Sequence, residues 1–220
     1  MKINGKIINK NIKGIIFDVD GTLMDSEPLH IKAYATVAKK YGTTYDEKKH
    51  LLNVGVGDEK ISKCLKEEIK NKFPSKTWQE LVKEKKAEYV KGIPELNVRP
   101  GIKELIIRAQ QRGLKLAVAS STSTSEVKAM LKQANLLKVF MVVIGGDGIA
   151  YKPHPEIYLK ALQELRLKPE EAIVIEDSPV GAAAGVNAGM LTIAFPHKYS
   201  KHLKFPKEAV FVDDMDEIEL

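Results

Sequence analysis

Six short segments rich in apolar residues, most of them separated by helical patterns, constrain the fold more than any other feature of the sequence. They cover residues 12–18, 114–119, 139–144, 172–175, 191–194 and 210–212. The segments are largely apolar throughout and do not alternate, which is typical of parallel strands covered on both faces. Because helical patterns lie between the later segments, right-handed crossovers are expected. The sequence therefore predicts a doubly wound α/β fold with a parallel sheet.

Residues 25–95 follow a different pattern and predict a helical domain inserted after the first strand. Ile31, Tyr34 and Ala38 recur at helical spacing, with lysines and glutamates on the opposite face. The Arg-Pro-Gly sequence at 99–101 marks the return to strand–helix alternation. The predicted organisation is a Rossmann-like catalytic core of residues 1–24 and 96–220 and a helical cap domain of residues 25–95.

The composition argues against two classes of partner. Aromatic residues make up 6% of the chain and no basic cluster is interleaved with them, so nucleic-acid binding is not expected. No apolar stretch approaches the roughly 20 residues that span a membrane. The net charge of +6 would favour a phosphorylated substrate. No obligate protein partner is indicated.

The N-terminal segment and the cysteine content favour a cytoplasmic protein. Residues 1–6 lack the apolar core of a secretory signal. Cys64 is the only cysteine, which excludes an internal disulfide. We expect Cys64 to be a small buried hydrophobic residue.

Two aspartates end the first predicted strand, and they point to chemistry. Asp18 closes the apolar run Gly-Ile-Ile-Phe, and Asp20 precedes Gly21. Carboxylates at the end of a buried strand lose hydration, which is unfavourable unless a cation compensates their charge. A divalent cation is the natural partner, and an aspartate beside one can act as a nucleophile.

Further polar side chains follow the next strands of the predicted sheet. Ligands of such sheets bind outside the carboxyl ends of the strands, so we expect these side chains to lie close to Asp18. They are Ser120, Lys152, Glu176 and Asp177.

Each carboxylate can be given a chemical task. Asp18 could attack phosphorus, and Asp20 could protonate the leaving oxygen and then deprotonate the attacking water. The Asp18 carboxylate, the backbone carbonyl of Asp20, Glu176 and Asp177 offer the hard oxygen ligands that suit Mg²⁺.

The remaining groups are suited to binding a phosphoryl group. Ser120 and Ser121 can donate hydrogen bonds, Lys152 can neutralise developing charge, and the amides near Gly21 can bind phosphoryl oxygens. Structural alternatives exist: any hydroxyl of residues 120–124 could cap the next helix. Ser178 before Pro179 fits an N-cap, and the Gly-Ala-Ala-Ala-Gly run at 181–185 fits a close helix–sheet contact.

The chain resembles the haloacid dehalogenase (HAD) superfamily, in the subgroup with a helical cap after the first strand. The matching motifs are residues 18–22, 119–120, 152–158 and 175–181. The resemblance implies Mg²⁺-dependent phosphoryl transfer through Asp18. Members that cleave carbon–halogen or carbon–phosphorus bonds usually lack an aspartate at the position of Asp20, so phosphate-ester hydrolysis of a small phosphorylated metabolite is expected.

Within the subgroup, the sequence resembles both sugar-phosphate phosphatases and β-phosphoglucomutase. His30 and Lys85 match a hinge histidine and a cap lysine of the mutase, which implies contacts with the substrate. A structural role is the alternative for Lys85, since it is one of three lysines close together on one helix. Asp58 stands where the mutase has an arginine for a second phosphate, and a carboxylate would repel that phosphate. Gly55, Val56 and Gly57 are further candidate contacts. A phosphatase is therefore preferred, with a sugar-phosphate mutase as the alternative.

A non-enzymatic phosphoaccepting module is a further alternative. Bacterial receiver domains use aspartates, a hydroxyl and a lysine on a doubly wound sheet. The helical insertion and the Gly-Thr sequence after the aspartate pair argue against this alternative. His197 and His202 follow the last long strand and are expected to be surface residues.

Overall fold

A computed structural model describes residues 1–8, 11–54 and 57–220. The described chain divides into two compact units. The core unit comprises Met1–Asp25 and Asn97–Leu220, and the helical unit comprises Ser26–Leu96. No helix of these described residues is long and apolar enough to cross a bilayer.

The core unit contains a parallel sheet and a small antiparallel sheet. The strands are β1 (Lys2–Ile3), β2 (Lys6–Ile7), β3 (Gly14–Phe17), β4 (Lys115–Ala119), β5 (Val142–Ile144), β6 (Ala172–Glu176), β7 (Leu191–Ala194), β8 (Val210–Phe211) and β9 (Ile218–Glu219). The parallel sheet has the order β5-β4-β3-β6-β7-β8, which confirms the predicted doubly wound fold. Strands β1, β2 and β9 pair antiparallel and were not predicted, because two-residue strands carry no periodic signal.

Strand β3 lies at the centre of the parallel sheet, between β4 and β6. Its residues Ile15, Ile16 and Phe17 are fully buried, and burying each such side chain stabilises the fold by about 1.5–3 kcal/mol. Phe17 pairs with Val118 on one side and with Ile175 on the other. This register brings the ends of the three strands to the same edge of the sheet.

Helices of the core unit cover the sheet. They are α5 (Ile102–Gln111), α6 (Thr124–Gln133), α7 (Glu156–Leu165) and α8 (Pro179–Asn187). Helix α8 begins at the N-cap Ser178, whose hydroxyl accepts a hydrogen bond from the Gly181 amide, as predicted. A Cβ on Gly185 would lie 2.5 Å from Thr192 Oγ1 of β7, so the predicted close helix–sheet contact is confirmed at this position.

The helical unit consists of α1 (Glu27–Lys40), α2 (Glu47–Leu51), α3 (Asp58–Ile69) and α4 (Trp78–Gly92). Its core includes Tyr34, Ala38 and Leu65, and the last of these lies on the buried stripe of α3. Cys64 is exposed, so the prediction of a buried cysteine is wrong. Successive residues of an α-helix are rotated by about 100° about its axis. Cys64, which precedes Leu65, therefore lies outside the buried stripe that contains Leu65.

A network centred on Glu84 ties α4 to α1 and to the segment before α4. Its carboxylate accepts hydrogen bonds from Lys40 Nζ at 2.8 Å and from Tyr41 Oη at 2.6 Å. Lys76 Nζ lies 2.6 Å from the same carboxylate. Burial opposes ionisation of Glu84, but the hydrogen bonds from Lys40, Lys76 and Tyr41 outweigh it and lower the pKa of Glu84 to about 2.

Replacing Glu84 by glutamine should lower the free energy of unfolding at pH 7 by about 1 kcal/mol, because Lys40 is largely exposed and Glu84 is 23% exposed, so solvent screens part of the network. Since folding lowers the pKa of Glu84, its contribution is present above the ordinary value of 4.5 and is lost as the pH falls towards about 2. Urea unfolding of both proteins between pH 7 and the lowest pH at which both fold measures this. Glu88→Gln, which breaks one exposed pair with Lys91, is the control. A Glu84→Gln difference that does not change with pH would contradict the assignment.

Candidate active site

Lys152 joins two of the carboxylates that follow the strands of the core unit. Its Nζ atom lies 2.5 Å from Asp18 Oδ1 and 2.7 Å from Glu176 Oε1. It also donates to the carbonyl oxygen of Ala119 at 3.2 Å. Residues from four distant segments therefore meet at one edge of the sheet, as the register of β3, β4 and β6 requires.

Asp20 is held by two hydroxyl groups from the loop after β4. Ser120 Oγ donates to Asp20 Oδ2 at 3.2 Å, and Thr122 Oγ1 donates to the same oxygen at 2.8 Å. The N-cap of α6 is Ser123, so Ser120 is not the capping residue. Ser121 lies on the same loop with an exposed side chain. Thr122 was not singled out in the sequence, although it belongs to the same run of hydroxyl residues.

Glu176 is fully buried and accepts hydrogen bonds at both carboxylate oxygens. Oε1 is contacted by Lys152 and by Tyr158 Oη at 2.8 Å. Oε2 accepts from the amides of Asp177 and Ser178 and from the Ser178 hydroxyl. Glu176 is thus a support for Lys152 as well as a candidate metal ligand. Tyr158 belongs to the motif of residues 152–158, but the sequence pattern predicted no role for it.

Burial and the charge of the partner shift the pKa values of Asp18 and Lys152 in opposite directions. Burial raises the pKa of Asp18 well above its ordinary value; Lys152 opposes this shift, and neighbouring carboxylates add to it. For Lys152, burial lowers the pKa, but Asp18 and Glu176 outweigh that effect, so the pKa of Lys152 is raised. Lys152 is therefore a cation at neutral pH. A divalent cation beside Asp18 would favour the carboxylate form that a nucleophile needs.

The side chains present fit a divalent metal. Asp18, Glu176 and Asp177 can each offer a carboxylate oxygen within 4.8 Å of the others, and all three are buried. Oxygen-only ligands at a carboxylate-rich site suit Mg²⁺. The Asp20 side chain is engaged by two hydroxyl groups, which leaves its backbone carbonyl as the candidate contribution of that residue.

Asp177 has two further neighbours in the core unit. Thr22 Oγ1 donates to Asp177 Oδ1 at 2.9 Å, and His197 Nε2 lies 2.9 Å from Asp177 Oδ2. The His197 side chain is only 9% exposed, so its prediction as a surface residue is wrong, whereas His202 is exposed. Gly21, at φ +75°, is required here because a Cβ would lie 2.5 Å from Asp177 Oδ2.

His30 and Lys85 lie in the helical unit, where they contact each other. The Lys85 side chain is buried, with 2% of the residue exposed. Its Nζ donates to His30 Nδ1 and to Asp58 Oδ1, both at 2.8 Å. Burial opposes ionisation of Asp58, but Lys85 and His30 outweigh it, so its pKa is lowered. Substrate binding by this pair stays a prediction.

The predicted contact segment of the helical unit lies only partly within the described residues. Gly55 and Val56 lie outside them. Gly57 is the N-cap of α3, and among the described residues other than its chain neighbours no atom lies within 4 Å of its Cβ position.

The sequence profile of haloacid dehalogenase-like hydrolases matches residues 15–195. The chain belongs to this family, which confirms the resemblance seen in its motifs. A phosphorylated carbohydrates phosphatase of Thermotoga maritima is 36% identical over 180 residues, covering 81% of this chain and 82% of the relative. Protein CbbY of Cereibacter sphaeroides is 33% identical over 217 residues, covering 94% of each chain.

A solved structure gives the same assignment of fold. CbbY from Rhodobacter sphaeroides, in complex with xylulose-(1,5)bisphosphate, has a TM-score of 0.78 and 30% identity. The match covers 94% of this chain and 96% of that one. Together with the relatives, it confirms the predicted class of enzyme, a HAD-like phosphatase.

Replacing Gly181 by alanine should impair catalysis without unfolding the protein. A Cβ at this position would lie 1.7 Å from Glu176 Oε1, so the carboxylate that holds Lys152 must move. A displacement of about 1 Å at a catalytic group can cost about 10²-fold in rate. Hydrolysis of p-nitrophenyl phosphate measures the loss, and thermal unfolding checks the fold. Val186→Ala on the same helix is the control; an unchanged kcat in Gly181→Ala would contradict the role of Glu176.

Proposed function

We propose that the protein is a Mg²⁺-dependent phosphatase that hydrolyses a phosphorylated sugar or a similar small metabolite through an aspartyl-phosphate on Asp18. The observation that carries this proposal is the buried contact of 2.5 Å between Lys152 and Asp18, at the edge of the sheet where Asp20 and Asp177 also lie. The predicted cytoplasmic location stays a prediction.

In the first step, Asp18 attacks the phosphorus atom of the ester. A bond forms between an Asp18 oxygen and phosphorus, and the bond from phosphorus to the alcohol oxygen breaks. Lys152 fixes the orientation of Asp18 through Oδ1 and neutralises part of the charge that develops on the phosphoryl oxygens.

Asp20 transfers protons in both steps. It gives a proton to the leaving alcohol oxygen, and it then takes a proton from the water that attacks the aspartyl-phosphate. The hydroxyl groups of Ser120 and Thr122 at Asp20 Oδ2 orient its carboxyl group for this task. Release of inorganic phosphate restores Asp18 as a carboxylate and Asp20 as an acid.

Backbone and hydroxyl donors complete the proposed phosphate site. The amide region of Gly21, together with Ser120 and Ser121, would bind phosphoryl oxygens. Asp18, the Asp20 carbonyl, Glu176 and Asp177 are the proposed Mg²⁺ ligands. When bound there, Mg²⁺ supplies positive charge that offsets the repulsion between the carboxylate and the phosphate.

The relatives support a sugar phosphate as the substrate. The Thermotoga relative is named for phosphorylated carbohydrates, and the CbbY structure contains a sugar bisphosphate. His30 and Lys85 are the proposed substrate contacts from the helical unit. Because Asp58 already pairs with Lys85 at 2.8 Å, a phosphatase is favoured over the mutase, which needs positive charge for a second phosphate.

Asp18→Asn should reduce hydrolysis by about 10³-fold or more, because an amide is a poor nucleophile. Side-chain volume is nearly conserved and Lys152 keeps its contact with Glu176, so we expect the fold to be retained, as circular dichroism would show. Phosphate release from p-nitrophenyl phosphate is the measurement. Asp25→Asn, at an exposed aspartate of the same segment, is the matched control. Full activity in a pure Asp18→Asn preparation would refute the proposed nucleophile.

A panel of phosphorylated sugars separates the phosphatase from the mutase. We expect phosphate release that requires Mg²⁺ and stops with EDTA, because the carboxylates at Asp18 and Asp177 repel a phosphate without a cation. The same preparation is assayed for isomerisation of glucose 1-phosphate primed with a bisphosphate. Isomerisation faster than phosphate release would overturn the preference for hydrolysis.

A further inference from the structure

The loop after β7 brings an imidazole to the candidate metal ligand Asp177. His197 Nε2 lies 2.9 Å from Asp177 Oδ2, and both side chains are less than a tenth exposed. The mechanism proposed above uses Asp177 but assigns nothing to His197. The contact lies within the core unit, on the side of the carboxylate opposite the oxygen that Thr22 contacts.

The orientation of the His197 ring is fixed by its own loop. Its Nδ1 accepts a hydrogen bond from the Tyr199 amide at 3.1 Å, and its backbone amide donates to Ser200 Oγ at 3.1 Å. Tyr199 and Ser200 are buried. An accepting Nδ1 places the ring proton on Nε2, the atom that faces Asp177. Nε2 therefore faces the carboxylate as a close polar contact of 2.9 Å, whose N–H direction is not that of an aligned hydrogen bond.

Arg99 connects this loop to the turn after Asp20 through hydrogen bonds to both segments. Its Nη1 atom donates to the carbonyl oxygens of Gly21 and Phe195, both at 2.8 Å, and Nη2 donates to that of Pro196 at 3.2 Å. The guanidinium carbon lies 3.6 Å from the centre of the Phe195 ring. The segment that carries His197 and the turn that follows the catalytic aspartates are thus held by one side chain.

We propose that His197 is a positioning residue that orients the Asp177 carboxylate for a divalent cation. Thr22 donates to Oδ1 at 2.9 Å and His197 faces Oδ2, so the two groups together restrict rotation of the carboxylate. The inference rests on the proposed metal-dependent function. Outer groups that orient a metal ligand typically change metal affinity by about 10–100-fold when removed.

The test measures Mg²⁺ binding directly by isothermal titration calorimetry on the metal-free protein. His197→Leu, which keeps bulk but removes the donor, should weaken Mg²⁺ binding by about 10–100-fold. His197→Gln, whose carboxamide can place an N–H near the Nε2 position, should restore most of the affinity. His202→Leu, at an exposed histidine five positions later, is the matched control and should leave affinity unchanged. Thermal unfolding in EDTA checks that each variant folds.

The outcomes distinguish this inference from the proposed function. Unchanged or tighter Mg²⁺ binding in folded His197→Leu would overturn the positioning role while leaving the phosphatase proposal intact. A glutamine variant as weak as the leucine variant would also overturn it, because a donor at that place would then not matter. If the affinity pattern is as expected but no phosphate ester is hydrolysed, only the proposed function fails. Absence of Mg²⁺ binding in the wild-type protein would overturn both.

Discussion

The ammonium group of Lys152, placed between the carboxylates of Asp18 and Glu176, is the interaction on which the rest of the site depends. Burying any one of these charges alone would cost several kcal/mol. The cost is offset because Glu176 also accepts hydrogen bonds from Tyr158, from two backbone amides and from the Ser178 hydroxyl. Removing one partner leaves the others desolvated and uncompensated. The arrangement thus fixes the position of the proposed nucleophile and keeps a cation beside it.

The sequence was sufficient to predict the sheet and the position of its polar edge. Continuous apolar runs such as residues 172–175 indicate strands covered on both faces, and parallel strands place their carboxyl ends together. Asp18, Ser120, Lys152 and Glu176 follow from that rule because each comes at or after the end of a strand. The rule places these four residues at one edge of the sheet without specifying their side-chain rotamers.

Other features depend on the path of loops, which no local pattern encodes. Thr122 contacts Asp20 because the loop after β4 passes close to the end of β3. Tyr158 contacts Glu176 because helix α7 packs near the end of β6. His197 could have been found by the same rule as the others, since it follows β7 at the same edge. It was missed because a histidine in a polar stretch is usually exposed. Cys64 was predicted to be buried because cysteine is usually buried, but its position on the helix places it on the exposed face.

The central place of β3 has a consequence for how the chain folds. Gly14 pairs with Lys115 and with Ala172, so the first strand of the parallel sheet finds its partners only after most of the chain has been synthesised. Lys152 and Asp18 are 134 positions apart. Contacts of such high sequence separation form slowly, whereas the helical unit depends on nearer ones. We expect helices α1–α4 to collapse early on the ribosome, while β3 stays an exposed apolar segment that chaperones can recognise.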